Sequence, residues 1–324
     1  MTGRAFSRLL HLGNVVIDVV LDIPALPERG GDVLASRTEL TPGGGFNVLA
    51  AAARLGLPAS YAGGHGTGPL GDLARARLAA EGIAVLQPPK AGLDTGFVVS
   101  MVDAAAERTF VTSPGAEAEL TPADLAHVPA GRTDAVYLSG YSLVHPANRA
   151  ALLGWLAGPG SAATMFFDPG PLVRSIPPEA LAVVARRADW VTLNTREAAL
   201  LTGRPDPAPA LRALTRSPPW TPRPGQGVLV RTGPKGCMLA HFRTPGTVVP
   251  GFRVTVADSN GAGDTHTGAF IAMLAAGEDE VEAARRANAA AALSVTRRGP
   301  ATAPNGAELA RFLSGQSWNS SFRN

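Results

Sequence analysis

Apolar positions along this chain fall into short continuous runs that alternate with longer segments of helical spacing. "LLHLGNVVIDVVLDI" (9–23) reads as one buried strand, rich in Val, Ile and Leu. "FNVLAAAARLG" (46–56) reads as a helix that ends at Gly56, with Pro58 beyond it. Four strand–helix pairs follow: "SYAGGHG" with "GPLGDLARARLAAEG", "DAVYLSGYSL" with "NRAALLGWLAG", "ATMFFDPG" with "PPEALAVVARRA", and "WVTLN" with "TREAALLTG". A Pro-rich stretch, 204–226, reads as a loop; "GVLVRTG" and "GCMLAHF" then read as strands, and 261–277, 279–296 and 305–314 as helices. Such alternation, with no internal repeat, predicts a mostly parallel sheet covered by helices on both faces. Two segments depart from it. "DVLASRTEL" (32–40) and "TGFVVSMVDAAAERTFVTSPG" (95–115) alternate like strands with no helix between their halves, the second turning near Asp103–Glu107. They predict a small β-flap over the ligand face, the alternative being a decorated edge of the main sheet.

Composition narrows the class. A chain of 324 residues with 45% hydrophobic and 17% charged residues has the make-up of a soluble globular protein, enough for one large α/β domain or two modest ones. No apolar run reaches the length of a membrane span, and "MTGRAFSRLLHLGN" lacks the apolar core and cleavage site of a signal peptide. The single cysteine, Cys237, excludes an internal disulfide framework and a cysteine-built metal site, and it fits a reducing cytoplasm. The net charge is +3, but the arginines are scattered and Lys90 and Lys235 are the only lysines. That distribution argues against nucleic acid as partner and leaves room for an anionic small molecule.

The chemistry concentrates in a few small-residue turns. In "VADSNGAGDTHTGAF" (256–270), Gly261-Ala262-Gly263 let backbone amides approach a ligand, and Asp264 opens a helix. A helix N-terminus favours negative charge, so a carboxylate beside it suits proton abstraction next to a phosphate; an N-capping acid on a Gly-rich turn would look the same. There is no Walker-type P-loop. One G-x-G-x-x-G, Gly66, Gly68 and Gly71 in "GTGPLG", suits a dinucleotide fold, but it is not on the first strand and the next strand carries no acid for a ribose. "NTRE" sets Asn194 and Glu197 on one face of a helix's first turn, suited to phosphate and hydrated Mg²⁺, or equally to a capping box. "RTGPKG" (231–236) offers Thr232, Gly233 and Gly236 to phosphate oxygens, or a hairpin turn.

Taken together, the chain resembles the PfkB (ribokinase-like) family of carbohydrate and nucleoside kinases. "PGGGFNVLAAAARLG" (42–56) and "DSNGAGDTHTGAF" (258–270) carry the resemblance, supported by "NTRE", "RTGPKG", "ERTF" (107–110) and "RRANAAAALSVTRRGP" (285–300) in the family's order. It implies a single ribokinase-like kinase unit over 1–324: a Rossmann-like, three-layer αβα sandwich with a small β-sheet lid whose strands are inserted from about 30–42 and 93–115. It also implies transfer of the ATP γ-phosphoryl to a hydroxymethyl group of a small sugar, or of a nucleoside. Asp264 then matches the general base and Gly261, Ala262 and Gly263 the anion hole. Asp18, at the end of the first strand, together with Gly44, Gly45 and Asn47 matches the sugar-binding residues, with Tyr141 where many ribokinases place a Glu. Thr232, Gly233, Gly236 and Asn288 match nucleotide contacts, and Asn194 and Glu197 the organisers of phosphate and Mg²⁺. Asp258 and Asn260 fall where many members bind a monovalent cation such as K⁺, and the lid implies a homodimer. The sugar turn "GGGFN" is one residue shorter than the usual ribokinase turn and lacks its Lys, and His266 is unusual; both turn attention away from ribose. The reading from another class is a regulator that binds sugar or nucleotide without catalysis.

Overall fold

The structure, a computed structural model, describes residues 6–105, 107–216, 223–241 and 245–315. The strands are β1 (Arg8–His11), β2 (Val15–Asp22), β3 (Arg37–Gly44), β4 (Ala59–Tyr61), β5 (Ala84–Val85), β6 (Phe97–Val102) and β7 (Arg108–Ser113), then β8 (Asp134–Ser139), β9 (Thr164–Asp168), β10 (Trp190–Asn194), β11 (Gly227–Arg231), β12 (Gly236–His241) and β13 (Thr247–Pro250). They form a nine-stranded sheet, order β13-β12-β11-β10-β9-β8-β1-β4-β5, and a four-stranded sheet, order β3-β2-β6-β7. The large sheet is parallel from β5 to β11, and its last two strands run antiparallel. In the small sheet β2 pairs antiparallel with β3 and parallel with β6, and β6 turns back into β7.

The helices are α1 (Gly45–Arg54), α2 (Pro69–Ala80), α3 (Pro122–Ala126), α4 (Tyr141–Val144), α5 (Pro146–Ala157), α6 (Pro178–Arg187), α7 (Thr195–Thr202), α8 (Pro207–Arg216), α9 (Ala262–Ala275), α10 (Glu280–Ser294) and α11 (Gly306–Ser314). Side chains of the central strands alternate between two cores, because successive residues of a strand point to opposite faces. Leu9, Tyr137, Phe166 and Leu229 pack with α1, α9 and α10 on one face; Leu10, Val136, Phe167 and Val230 pack with α5, α6 and α8 on the other. Three layers result. Among the described residues no helix is long and apolar enough to cross a membrane.

Three expectations need correction. The run 9–23 is not one strand: it breaks at Leu12–Asn14, and its halves join different sheets. Both halves are apolar, and periodicity carries no record of a change of sheet. The Pro-rich stretch 204–226 contains α8, which buries Ala210, Leu211 and Leu214. Its two prolines, Pro207 and Pro209, fall in the first turn, where a missing N–H costs no helical bond. Positions 217–222 of that stretch lie outside the described residues, as does position 106 in the β6–β7 turn. Finally, β13 extends the sheet beyond "GCMLAHF" and pairs with β12 from Gly236 to Leu239.

Candidate active site

Two walls of the site are built by strands and turns that only glycine permits. Asp18 sits midway along β2 of the small sheet, opposite Thr41 of β3, and not at the end of a main-sheet strand. A Cβ on Gly43 would lie 2.5 Å from both Asp18 carboxylate oxygens, so the acid occupies the space that this glycine leaves. Gly44, at φ 62, turns the chain into α1, and a Cβ on Gly45 would fall 1.9 Å from the Nε2 of buried His11. α1 can therefore begin directly against the His11 ring, which delivers Asn47 into the interior. Asn47 Nδ2 donates to Asp264 Oδ2 at 2.9 Å. Its Oδ1 is buried and has no partner within the protein.

Opposite stands the N-terminal turn of α9. Gly261, at φ 71, holds a left-handed conformation with its Cα against Pro300: a Cβ there would lie 2.1 Å from the Pro300 carbonyl oxygen. Beyond it, the first amides of a 14-residue helix have no intrahelical acceptor, which makes a ready anion site. Asp264 lies in the same turn. Burial pushes its carboxyl up to about 6, and nearby Asp168 adds to this, while the Asn47 bond and Arg231 pull the other way. Asp18 is raised to about 7, by burial first and then by the charge on Asp264. Tyr141, the first residue of α4, is raised to about 12 by burial and then by Asp264, Glu197, Asp168 and Asp18, so its hydroxyl feels the whole acidic group.

Sequence reasoning missed the centre of that group. Arg231, at the end of β11, donates from Nη2 to Asp168 Oδ2 at 2.9 Å and from Nη1 to Thr267 Oγ1 at 3.0 Å, and its Nη2 stands 3.6 Å from Glu197 Oε2. Its side chain is only 11% exposed, and a Cβ on Gly263 would lie 3.5 Å from its Nε, so the guanidinium rests against the anion turn. A buried ion pair that loses one partner costs about 3–5 kcal/mol, which ties this arrangement to the fold. A signal was available: Asp168 and Arg231 both end strands of a parallel sheet, where open α/β folds place ligands. Glu197 and Asn194 do form the capping box of α7, through Glu197 N to Asn194 Oδ1 (2.9 Å) and Asn194 N to Glu197 Oε2 (2.7 Å). The same Glu197 carboxylate faces Arg231, and burial followed by Asp168 raises its pKa. Cap and site residue are one.

A cavity of about 740 Å³ opens beside this centre. Asn194, Arg231, Gly233, Ala262 and Gly263 line it together with the apolar Phe252, Val254, Ala291, Ala292 and Val295; Gly236, His266 and Asn288 also line it. Thr232 does not: its N–H donates to the Gly236 carbonyl at 2.8 Å and closes the β11–β12 turn. Asp258 and Asn260 lie apart, on a second cavity of about 880 Å³ that reaches the small sheet. Asp258 accepts from the amides of Asn260 (2.9 Å) and Gly299 (3.1 Å) and pairs with Arg108 of β7. Burial alone would raise its pKa, but these three bonds bring it below the ordinary carboxylate value. No cluster of three or more metal-ligating side chains occurs among the described residues. The G-x-G-x-x-G has a different use. Asp94 accepts from the amides of Gly71 (2.8 Å) and Leu70 (3.1 Å), and its carboxyl would lie 2.4 Å from a Cβ on Gly68. A carboxylate of the chain itself fills the place a dinucleotide's pyrophosphate would need, so the dinucleotide-binding reading of this motif falls.

With this geometry in view, the comparison with known proteins is decisive: residues 7–306 match the pfkB family carbohydrate kinase model. The chain belongs to the pfkB carbohydrate kinase family. It is 32% identical over 304 residues to the uncharacterized sugar kinase YegV of Escherichia coli K12, covering 94% of this chain and 93% of that one. It superposes on the ribokinase of Thermotoga maritima with a TM-score of 0.79 at 25% identity, covering 95% and 100% of the two chains. A fructokinase from Vibrio cholerae in its fructose-, ADP- and calcium-bound form gives a TM-score of 0.73 at 25% identity, covering 95% and 99%. The fold is thus ribokinase-like, with a mostly parallel central sheet and a smaller second sheet. The two turns that carry the resemblance stand far apart in sequence, and the Asn47–Asp264 bond joins them across 217 positions.

Proposed function

We propose that the protein transfers the γ-phosphoryl group of ATP to a hydroxymethyl group of a small, unphosphorylated sugar. The observation that carries this reading is the Asn47–Asp264 bond, because it sets a buried carboxylate of raised pKa between the Asp18 wall and the anion turn. Asp264 takes the proton from the acceptor hydroxyl as the oxygen attacks phosphorus. The amides of Gly261, Ala262 and Gly263 meet the negative charge on the transferring group, and Arg231 lies against the same turn to oppose it. Asp18, Gly44, Gly45, Asn47 and Tyr141 make the sugar side, where Asp18 accepts hydrogen bonds from vicinal hydroxyls.

The cavity suits a nucleotide: about 740 Å³ falls within the range of small-ligand sites, with apolar side chains to meet a base and Arg231 to meet phosphates. Gly233, Gly236 and Asn288 wall it, and Thr232 shapes its turn. The buried carboxylates of Asp168 and Glu197, grouped around Arg231, would suit a hydrated Mg²⁺, with Glu197 and Asn194 as its organisers through water. That ion, when bound, supplies charge neutralisation to the phosphates. Asp258 and Asn260 stand as the candidate monovalent-cation loop.

The acceptor is read as unphosphorylated because, among the described residues, no strand of the small sheet carries an unpaired cation. Arg37 and Arg108, the arginines of the small-sheet strands, are paired with Asp22 and Glu39 and with Asp258. A sugar phosphate would need such a cation. Initial rates with ATP across free pentoses, hexoses, nucleosides and their monophosphates, with and without EDTA, test the proposal. A free sugar is expected to have the highest kcat/KM and EDTA to abolish turnover; a monophosphate as clearly best acceptor would refute the acceptor class. A nucleoside as best acceptor would move the assignment within the family. Intact Asp264 and the intact anion turn argue against a non-catalytic regulator, and turnover of no acceptor at all would favour one.

A further inference from the structure

We propose that His266 is a specificity residue for the nucleotide, its Nδ1 accepting a hydrogen bond from a ribose hydroxyl. The proposal rests on the nucleotide reading of the 740 Å³ cavity, which His266 lines. His266 lies in the second turn's approach on α9, three residues after Gly263, and only 3% of its surface is exposed.

The proton on its ring is placed by the neighbours. Asn288 Nδ2 donates to the carbonyl oxygens of Val249 (3.0 Å) and Pro250 (3.1 Å), which fixes the orientation of that amide and leaves its Oδ1 as an acceptor. His266 Nε2 stands 3.0 Å from this Oδ1 and must therefore be the donor. In a neutral imidazole the other nitrogen, Nδ1, then carries a lone pair. The ring is neutral at physiological pH, since burial, helped by the charge of Arg231, pushes its pKa down to about 3. Nδ1 is buried and has no partner within the protein, so a ligand hydroxyl meets it only when the wall of the cavity that His266 lines gives way slightly on binding. A buried acceptor without a donor costs about 1–3 kcal/mol, so a donor from the cavity has something to repay.

Chemistry and position select that donor. Phosphate oxygens are acceptors and are repelled by a lone pair. Gly263, three residues before His266, and Arg231 line the cavity on the side read as binding phosphates, while Asn288, to which the ring is bonded, lies one turn before the apolar Ala291 and Ala292, which line it too. The part of a nucleotide that lies between phosphates and base is the ribose, and its hydroxyls are donors. The hydrogen bond is expected to contribute about three- to tenfold in affinity, the usual net worth of such a bond.

The test is calorimetric titration of the wild-type protein with ADP, 2′-deoxy-ADP and 3′-deoxy-ADP, repeated on His266→Phe, which keeps the ring volume and removes both nitrogens. ADP is expected to bind wild type about three- to tenfold more tightly than one of the deoxy analogues, and the variant is expected to lose that preference. Should the Phe variant not fold, His266→Met takes its place. Equal binding of all three nucleotides to wild type would mean that only water meets Nδ1, and it would overturn the assignment while leaving the nucleotide reading intact. A preference that survives unchanged in a folded variant would overturn it too. Binding of none of the three would sink the nucleotide reading itself.

Discussion

At the scale of single residues, the site is defined by carboxylates held in an unusually dry place. Asp264 has to be ionised to accept a proton, and its pKa of about 6 places that transition just below neutrality. Under the proposed mechanism, kcat should be flat above pH 7 and fall about tenfold per pH unit as pH drops below about 6. Asp18, at about 7, adds a second, shallower inflection in the KM for sugar. A profile with no acidic limb between pH 5 and 7 would speak against Asp264 as base. Asp264→Asn keeps size and polarity but cannot take the proton. It should lower kcat by about 10²–10⁴ while nucleotide affinity, measured by calorimetry, changes little. Asp264 and the anion turn stood out in the sequence because acid and glycines lie next to each other. Asp168 and Arg231 did not, because their partners come from other strands and their significance is a distance of 2.9 Å between residues 63 positions apart.

At the scale of elements, the start of α1 decides whether Asn47 reaches Asp264. Gly45→Ala should be costly, since the new methyl would overlap the His11 ring that anchors the turn. His11 cannot retreat easily, because its ring nitrogens face the carbonyl oxygens of Tyr137 (3.1 Å) and Asn14 (3.2 Å). Overpacking of this kind typically costs about 1–3 kcal/mol, which urea denaturation would register as a lower midpoint with an unchanged slope. Because α1 must shift, kcat/KM should fall as well; full activity in a destabilised Gly45→Ala protein would detach the turn from the site. A second element shows double duty. Asn194→Ala removes the cap of α7 and should cost about 1 kcal/mol, with a drop in kcat beyond what stability explains if the same residue organises phosphate. Measuring kcat well below the unfolding transition separates the two effects.

At the scale of the whole molecule, the small sheet touches the main body near the Arg108–Asp258 pair and leaves its outer strand open. Phe110 and Val111 on β7 are 56% and 57% exposed, and Leu40 on β3 is 44% exposed. An edge strand with apolar side chains is an invitation to pairing. We propose that a second copy covers it, giving a homodimer through the lid. Sedimentation at micromolar concentration should show a dimer, and Phe110→Glu combined with Val111→Glu should give a folded monomer. A monomeric wild type under those conditions would remove the proposal without touching the chemistry.

Some of this was written in the residue order and some was not. Alternating strands and helices, the tight "GGGFN" and "NGAGD" turns and the "NTRE" cap are local: each depends on neighbours within a turn of helix or a few residues of strand, so the chain by itself determined them. It could not say that one apolar run, 9–23, serves two sheets, because burial leaves the same composition in both halves. Nor could it say that Pro207–Arg216 is helical, since two prolines look like a break until they are seen to occupy the first turn. The tertiary structure alone decided which charges meet. Asp168, Glu197 and Arg231 converge because β9, β10 and β11 are adjacent and parallel, so their carboxy ends come to one edge. The free lone pair of His266 was likewise a tertiary outcome: the residue could be seen as unusual in its motif, but its tautomer depends on Asn288, and the orientation of Asn288 depends on two carbonyls of β13.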